Sequence, residues 1–474
     1  MITYSFLAAV GIMALLALSN WRLGFVLCMV VAILQDPVRK VTMGTPAYLT
    51  LSFLPVYLAS YVGTLQQAEN HIRFGWQFPT VTSRFSLFAV SLGISCAIAI
   101  LVTGTNTMAA GLGVMSYVGG VPAVLLGYAY VRKSYVEIEP LLLVFVAMTC
   151  LMLVGVPLEH YGVKFSMPWL GTIARDEVWY RWFNDNDYVA MISGFYRSPE
   201  IMGWHAMALT VISFYLILRR PGLAGLWSLI AVYGVYAVFM SGRRKMLMII
   251  IAFVITFFWA SSRQNRSKIM IYLLACFAVL LPAIAWSVDD LYLKSLDSGV
   301  ATTGGKLSEK GITGPLWLST IVGPFGFGVG TLTQGAQHFN TGSIDLPLVE
   351  GGVEKIMVEL GLVGLICALF FGLELSRVSY RRVKIASSVA PLEFGPAFCF
   401  AFIASNLLAF LIAFQFLGDP FIGTMLGFMI GLLLSSHRVL DHGRAGSVDF
   451  APSGFSSSRG STDAGFSTSQ KQLF

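Results

Sequence analysis

The residues with the clearest chemical potential are Ser241-Gly242-Arg243-Arg244-Lys245, a turn of three cations between two apolar runs, 222–240 and 246–260. Arg219-Arg220 precedes the first run, and Arg263, Arg266 and Lys268 follow the second. Short basic loops normally stay on the cytoplasmic side of a membrane. Two consecutive spans therefore put the flanking groups on that side and the central turn on the other. Three cations and no acid on the outer face break the usual bias, which points to an anion held there. Arginine suits a phosphate because its planar fork engages two oxygens at once. Arg243 and Arg244 also stand at the N-terminal end of an apolar run, where a helix dipole favours negative charge.

Other chemistry-bearing groups gather in two long stretches between apolar runs. Residues 157–200 carry Trp169, Trp179, Tyr180, Arg181, Trp182 and Tyr188. Aromatic rings beside charges suit stacking on sugars, and they equally suit an interfacial aromatic belt. This stretch ends in Tyr196-Arg197-Ser198-Pro199-Glu200, where Arg197 and Glu200 either pair structurally or line a cavity at the membrane boundary. Residues 287–352 contain Gly323-Pro324-Phe325-Gly326-Phe327-Gly328-Val329-Gly330. Such glycines let backbone approach another surface closely, although a tight turn into a short helix is the plainer reading. No βαβ context makes the run a dinucleotide fingerprint. Three groups could accept a proton. Glu354 ranks first because it opens the apolar run 353–373. Glu350, four residues earlier, comes second. His338 comes last, because a free loop holds a base poorly. Glu359, deeper in the same run, needs a partner or a wet cavity.

The elements that must position these groups are membrane helices. The chain is 56% hydrophobic and 12% charged, with a mean hydropathy of +0.74. This composition excludes an ordinary soluble protein and predicts an all-α polytopic membrane protein. About thirteen spans are expected, at 2–19, 22–36, 46–66, 85–104, 112–131, 140–156, 201–218, 222–240, 246–260, 269–286, 353–373, 394–414 and 420–437. Arg132-Lys133, Arg219-Arg220, Arg263/Arg266/Lys268, Arg377/Arg381/Arg382/Lys384 and Arg438/Arg444 then share one face, predicted to be cytoplasmic. Loops 157–200 and 287–352 fall on the opposite face. Their acid-leaning content, six acids against four and three bases respectively, suits that side. Residues 1–437 thus form a transmembrane domain. Residues 438–474, rich in Ser and Gly, form a disordered cytoplasmic tail.

Several classes are left without a signal. Residues 1–19 lack the basic start of a cleavable signal peptide. The six cysteines are scattered through apolar runs with no CxxC pair and no His/Cys cluster, so no metal or redox site is expected. The net charge of +7 comes mainly from inner loops and implies no nucleic-acid partner.

In order along the chain, four landmarks resemble a family. They are Arg197-Ser198-Pro199-Glu200-Ile201-Met202-Gly203, Ser241-Gly242-Arg243-Arg244, Phe325-Gly326-Phe327-Gly328-Val329-Gly330 and Val358-Glu359-Leu360-Gly361-Leu362-Val363-Gly364. Together, over roughly 195–375, they resemble the O-antigen ligase and Wzy-type polysaccharide polymerase superfamily of bacterial inner-membrane glycosyltransferases. The resemblance implies a GT-C-like helical bundle that moves a glycan from undecaprenyl diphosphate to an acceptor on the outer face. It implies no cofactor, nucleotide sugar or metal. A polyprenyl-diphosphate-linked oligosaccharide and the lipid bilayer are the implied partners, with chain-length regulator and flippase proteins as neighbours. Arg197, Glu200, Arg243, Arg244, Lys245 and Trp182 become candidate ligands of the diphosphate and glycan. Ligases of this family carry a histidine followed by Asn or Ser at the start of the late span. The corresponding stretch here, Val349-Glu350-Gly351-Gly352-Val353-Glu354, has none, which leaves a polymerase, or an exopolysaccharide-type relative that uses a carboxylate, ahead of a ligase. Transfer to a lipid or protein acceptor and a flippase of lipid-linked oligosaccharide remain as alternatives.

Overall fold

The computed structural model describes residues 2–67, 70–163, 169–172, 180–182, 188–287, 305, 309, 313–333 and 349–438. The expected tail is therefore outside the described residues from 439 onward. Helices α1 (Ile2–Ser19), α2 (Trp21–Val41), α3 (Leu54–Gln67), α4 (Asn70–Gln77) and α5 (Pro79–Leu101) open the chain. They are followed by α6 (Thr107–Val118), α7 (Val121–Tyr130), α8 (Glu139–Leu153) and α9 (Gly155–His160). A two-stranded antiparallel ribbon, β1 (Tyr180–Trp182) and β2 (Tyr188–Ala190), pairs Trp182 with Tyr188 in the first long loop. Helices α10 (Pro199–Arg219), α11 (Ala224–Met240), α12 (Arg244–Ala260) and α13 (Arg263–Ser287) come next. The chain closes with α14 (Gly314–Ile321), α15 (Gly352–Val389), α16 (Gly395–Phe410), α17 (Gln415–Gly418) and α18 (Pro420–Leu434).

The chain is an all-α polytopic membrane protein. Among the described residues, ten helical segments are long and apolar enough to cross a bilayer. That is fewer than the thirteen expected spans. The other three runs are also helical, as α12, α13 and α16. Two of these, α12 and α16, have only 17 and 16 residues, short of the roughly 20 needed to cross unaided. The second span is longer than expected. Asn20 caps its start through Leu23 N–H, and the helix runs past the apolar segment through Asp36 and Pro37 to Val41.

Helix α10 is the axis of the bundle. Of its most apolar 18 residues, 94% are buried, against 11% for α1. A helix that is apolar all round belongs in a core, and α10 packs against α8, α11 and α12. Helices α7 and α18 cross closely enough that a Cβ on Gly127 would meet the Phe428 carbonyl and one on Gly427 the Gly120 carbonyl. Small residues allow such backbone contact between membrane helices.

The ends of α10 define two ends of the bundle. At one end Arg219 pairs with Glu139 at 3.2 Å and Glu393 at 3.4 Å, and Arg220 pairs with Glu139 at 2.8 Å. At the other end, about 30 Å away by helix rise, stand Arg197, Glu200 and the turn that opens α12.

Candidate functional site

At the Arg243 end the sequence candidates converge. Ser198 caps α10, its hydroxyl accepting Ile201 N–H, and Pro199 fits the first turn. This places Glu200 in the first turn of α10. The chain leaves α11 through Ser241 and Gly242, whose φ of +63° suits glycine. The Ser241 hydroxyl accepts Arg243 N–H at 3.1 Å, and α12 starts at Arg244. Glu200 then meets Arg243 at 3.3 Å and Lys245 at 3.2 Å. One carboxylate thus binds two of the three cations of the turn. Arg244 sits half-buried at the start of the same helix.

A cleft lies one helical turn beneath this roof. Trp204 is four residues after Glu200, and Ile249 is four after Lys245, so each shares a face with the ionic group above it. With Asn406, Ala409, Phe410, Ala413 and Ile422 they line a narrow gap with room for about one water. Its walls are apolar except for one polar pair, in which Trp204 Nε1 donates to Asn406 Oδ1 at 3.0 Å. Helices α10, α12, α16 and α18 all contribute.

Arg197 is held differently. Its guanidinium pairs with Asp36 of α2 at 3.1 Å and with Asp419, the N-cap of α18. Its backbone N–H also donates to Asp36 Oδ2 at 3.2 Å. Both carboxylates are buried. Two acids against one cation leave Arg197 no surplus charge for a ligand, and its evident role is to tie α2, α10 and α18 together.

The three proton acceptors separate. Glu354 is buried, and its Oε2 accepts Gly351 N–H at 2.9 Å and Glu350 N–H at 3.3 Å, closing the start of α15. Its carboxylate works as a helix cap. Glu350 is exposed, and it lies near enough to Lys245 for its charge to act on the ammonium. Its carbonyl accepts Phe414 N–H at 3.1 Å, which fixes the backbone beside the cleft residues Phe410 and Ala413. His338 lies outside the described residues. Trp182 has its backbone in β1, and its side chain also lies outside the description. Trp169, Tyr180 and Tyr188 of the same loop are exposed.

Sequence reasoning missed four residues at this end: Asp36, Asp419, Arg39 and Lys40. Lys40 is buried and donates to the Gly194 carbonyl at 2.9 Å, and Arg39 Nε donates to the Thr45 carbonyl at 3.1 Å. Signals existed for three of them. Asp419-Pro420 before an apolar run is an N-cap signature. Counting spans back from Arg132-Lys133 also puts the Arg39-Lys40 loop on the same face as Arg243. Compared with known proteins, the chain matches no family model and no curated protein.

Proposed function

We propose that this chain is a membrane glycosyltransferase that lengthens a polyprenyl-diphosphate-linked oligosaccharide by repeat units, with its chemistry at the Arg243 end. The supporting observation is the cationic turn of Arg243, Arg244 and Lys245 at the start of α12, two of whose cations are gathered on Glu200 at the end of the apolar bundle. The anionic diphosphate of a lipid that lies in the bilayer suits cations placed at the end of membrane helices. The resemblance to polysaccharide polymerases, carried by the residues quoted above, supports the same reading. The bundle is then GT-C-like and sits in a bacterial inner membrane with the Arg243 end outside. Chain-length regulator and flippase proteins would work beside it.

In the proposed reaction the acceptor sugar hydroxyl attacks the anomeric carbon of the donor. The bond from that carbon to the diphosphate oxygen breaks, and the diphosphate leaves with the electron pair. Arg243, Arg244 and Lys245 stabilise the charge that develops there, and such preorganised stabilisation is commonly the largest catalytic contribution. The entering diphosphate competes with Glu200 for Arg243 and Lys245. Glu350 takes the hydroxyl proton, because it is exposed just ahead of α15 while Glu354 is occupied as a cap. Trp169, Trp182 and Tyr188 are the proposed stacking surface for the glycan. Arg197 positions α10 through its two aspartates.

Deletion of the gene in its host, followed by gel analysis of lipid-linked and surface glycan, tests this function. The expected result is loss of long polymer and accumulation of lipid-linked single repeat units, reversed by the wild-type chain. Long polymer that accumulates without transfer to its final acceptor would instead indicate a ligase. Single repeat units trapped on the inner face would indicate a flippase.

A further inference from the structure

A fully buried ion pair stands on α15 just inside the candidate site. Lys355 Nζ lies 2.9 Å from Glu359 Oε1, and both side chains have 0% exposure. Every oxygen of Glu359 is engaged. Oε1 also accepts Leu332 N–H at 3.0 Å and the Thr333 hydroxyl at 3.3 Å, and Oε2 accepts the Tyr117 hydroxyl at 2.7 Å. Lys355 donates in addition to Thr333 Oγ1 at 3.2 Å.

Replacing a buried ion pair with apolar residues is often neutral or stabilising, so such a pair is weak evidence for stability as its purpose. Its hydrogen bonds suggest another purpose. Helix α15 breaks at Gly361, where φ is +69° and ψ −170°. Carbonyls near the break accept from the glycine run: Val358 O from Phe327 N at 2.8 Å, and Glu359 O from Gly328 N at 3.1 Å. Val363 N donates back to Pro324 O at 3.0 Å. Glu359 therefore holds the chain at Gly328 through its backbone and at Leu332 and Thr333 through its carboxylate. Five residues earlier on α15, Glu354 fixes the chain at Glu350 and Gly351. One helix holds the described chain on both sides of residues 334–348, and Glu350 emerges directly from the second attachment.

We propose that Glu359, neutralised by Lys355, is a positioning residue. Its carboxylate oxygen anchors Leu332 and Thr333 to α15, the helix whose opening turn follows Glu350, and so holds the described chain that enters this end of the bundle. The anchoring is independent of the reaction assigned above, whereas its effect on chain growth rests on that assignment.

Two double variants separate acceptor from charge. Lys355→Met/Glu359→Gln keeps an oxygen for Leu332 N–H, and Lys355→Met/Glu359→Leu removes it, while both are uncharged. Hydrogen exchange across 327–333 in the purified protein is measured together with the rate of glycan growth and the donor KM. The Gln variant should keep exchange protection and most of the growth. The Leu variant should melt like the Gln variant yet lose protection at the Leu332 amide. Its kcat should fall about 10- to 100-fold, the scale of a misplacement of about 1 Å, at unchanged donor KM. Protection retained in the Leu variant, or lost with growth unchanged, overturns the proposal. The charge-swapped Lys355→Glu/Glu359→Lys variant serves if the Leu variant does not fold. Wild-type protection and growth in the swapped protein would show that the pair supplies charge balance alone. If the wild-type protein elongates no glycan, the functional assignment fails, and the exchange measurement still decides the anchoring.

Discussion

Glu200 holds Arg243 at 3.3 Å and Lys245 at 3.2 Å, so the cations that would meet a diphosphate are already gathered before it arrives. Removing one of them should cost a charge-assisted contact of about 1.5–3 kcal/mol, or roughly 10- to 150-fold in rate. Arg243→Ala and Arg244→Ala should each lower polymer by that factor at normal protein level. Lysine at either position should restore activity only in part, since a point charge replaces a two-toothed fork. Wild-type glycan from both alanine variants would reduce these residues to topological anchors. Glu350→Gln should stop chain growth in a protein that melts normally. Glu354→Gln, which keeps an oxygen for Gly351 N–H, should retain most growth. Gel analysis of polymer length beside melting curves reads both, and full growth from Glu350→Gln would place the base elsewhere. The cations, Glu200 and the carboxylates were legible in the sequence as separate candidates. Their pairing was not, because 45 residues separate Glu200 from Lys245 and only tertiary packing brings them together. The capping role of Glu354 had a local signal, a Glu three residues after Gly351. It was outweighed by the apparent fit of that position to a base.

At the scale of elements, the Asp36–Arg197–Asp419 bridge joins α2, the entry to α10 and the cap of α18. Breaking a buried pair by removing one partner leaves an uncompensated charge and costs about 3–5 kcal/mol. Asp36→Ala and Asp419→Ala should therefore each lower the melting temperature in detergent markedly, and lose activity in proportion to folded protein. Unchanged melting in both variants would show that Arg197 does not need its aspartates. The helices themselves were legible, because uncharged apolar runs leave few alternatives in a bilayer. The break in α15 was not. Its apolar run continues through Gly361, and hydropathy gives no sign that the helix opens there. The glycines at 326 and 328 announced a close approach. What they approach, the Glu359 backbone and Ala99, is set by long-range packing.

The molecule as a whole has two opposite ends. Arg219 and Arg220 mark one, and Arg197, Glu200, Arg243 and Lys245 mark the other. Labelling with a membrane-impermeant thiol reagent, in a chain cleared of reactive native cysteines, should distinguish them. Ser241 is buried and unsuitable as a reporter. Tyr188 is exposed, and its strand leads into Ile192, whose N–H donates to the Met240 carbonyl at 3.0 Å. Tyr380 is exposed at the other end, stacked on Trp259 at 5.3 Å. Cysteine at 188 should react in intact cells, and cysteine at 380 only after lysis. The reverse pattern would put the candidate site on the cytoplasmic face. The central claim, glycan transfer from a lipid diphosphate at the Arg243 end, is tested most directly by reconstitution. Purified protein in proteoliposomes is given a polyprenyl-diphosphate-linked oligosaccharide repeat, and the products are separated on a gel. The account predicts a ladder of lengthened lipid-linked glycans from the wild-type chain and almost none from Arg243→Ala. A folded wild-type protein that forms no ladder, or an equal ladder from both proteins, would contradict it.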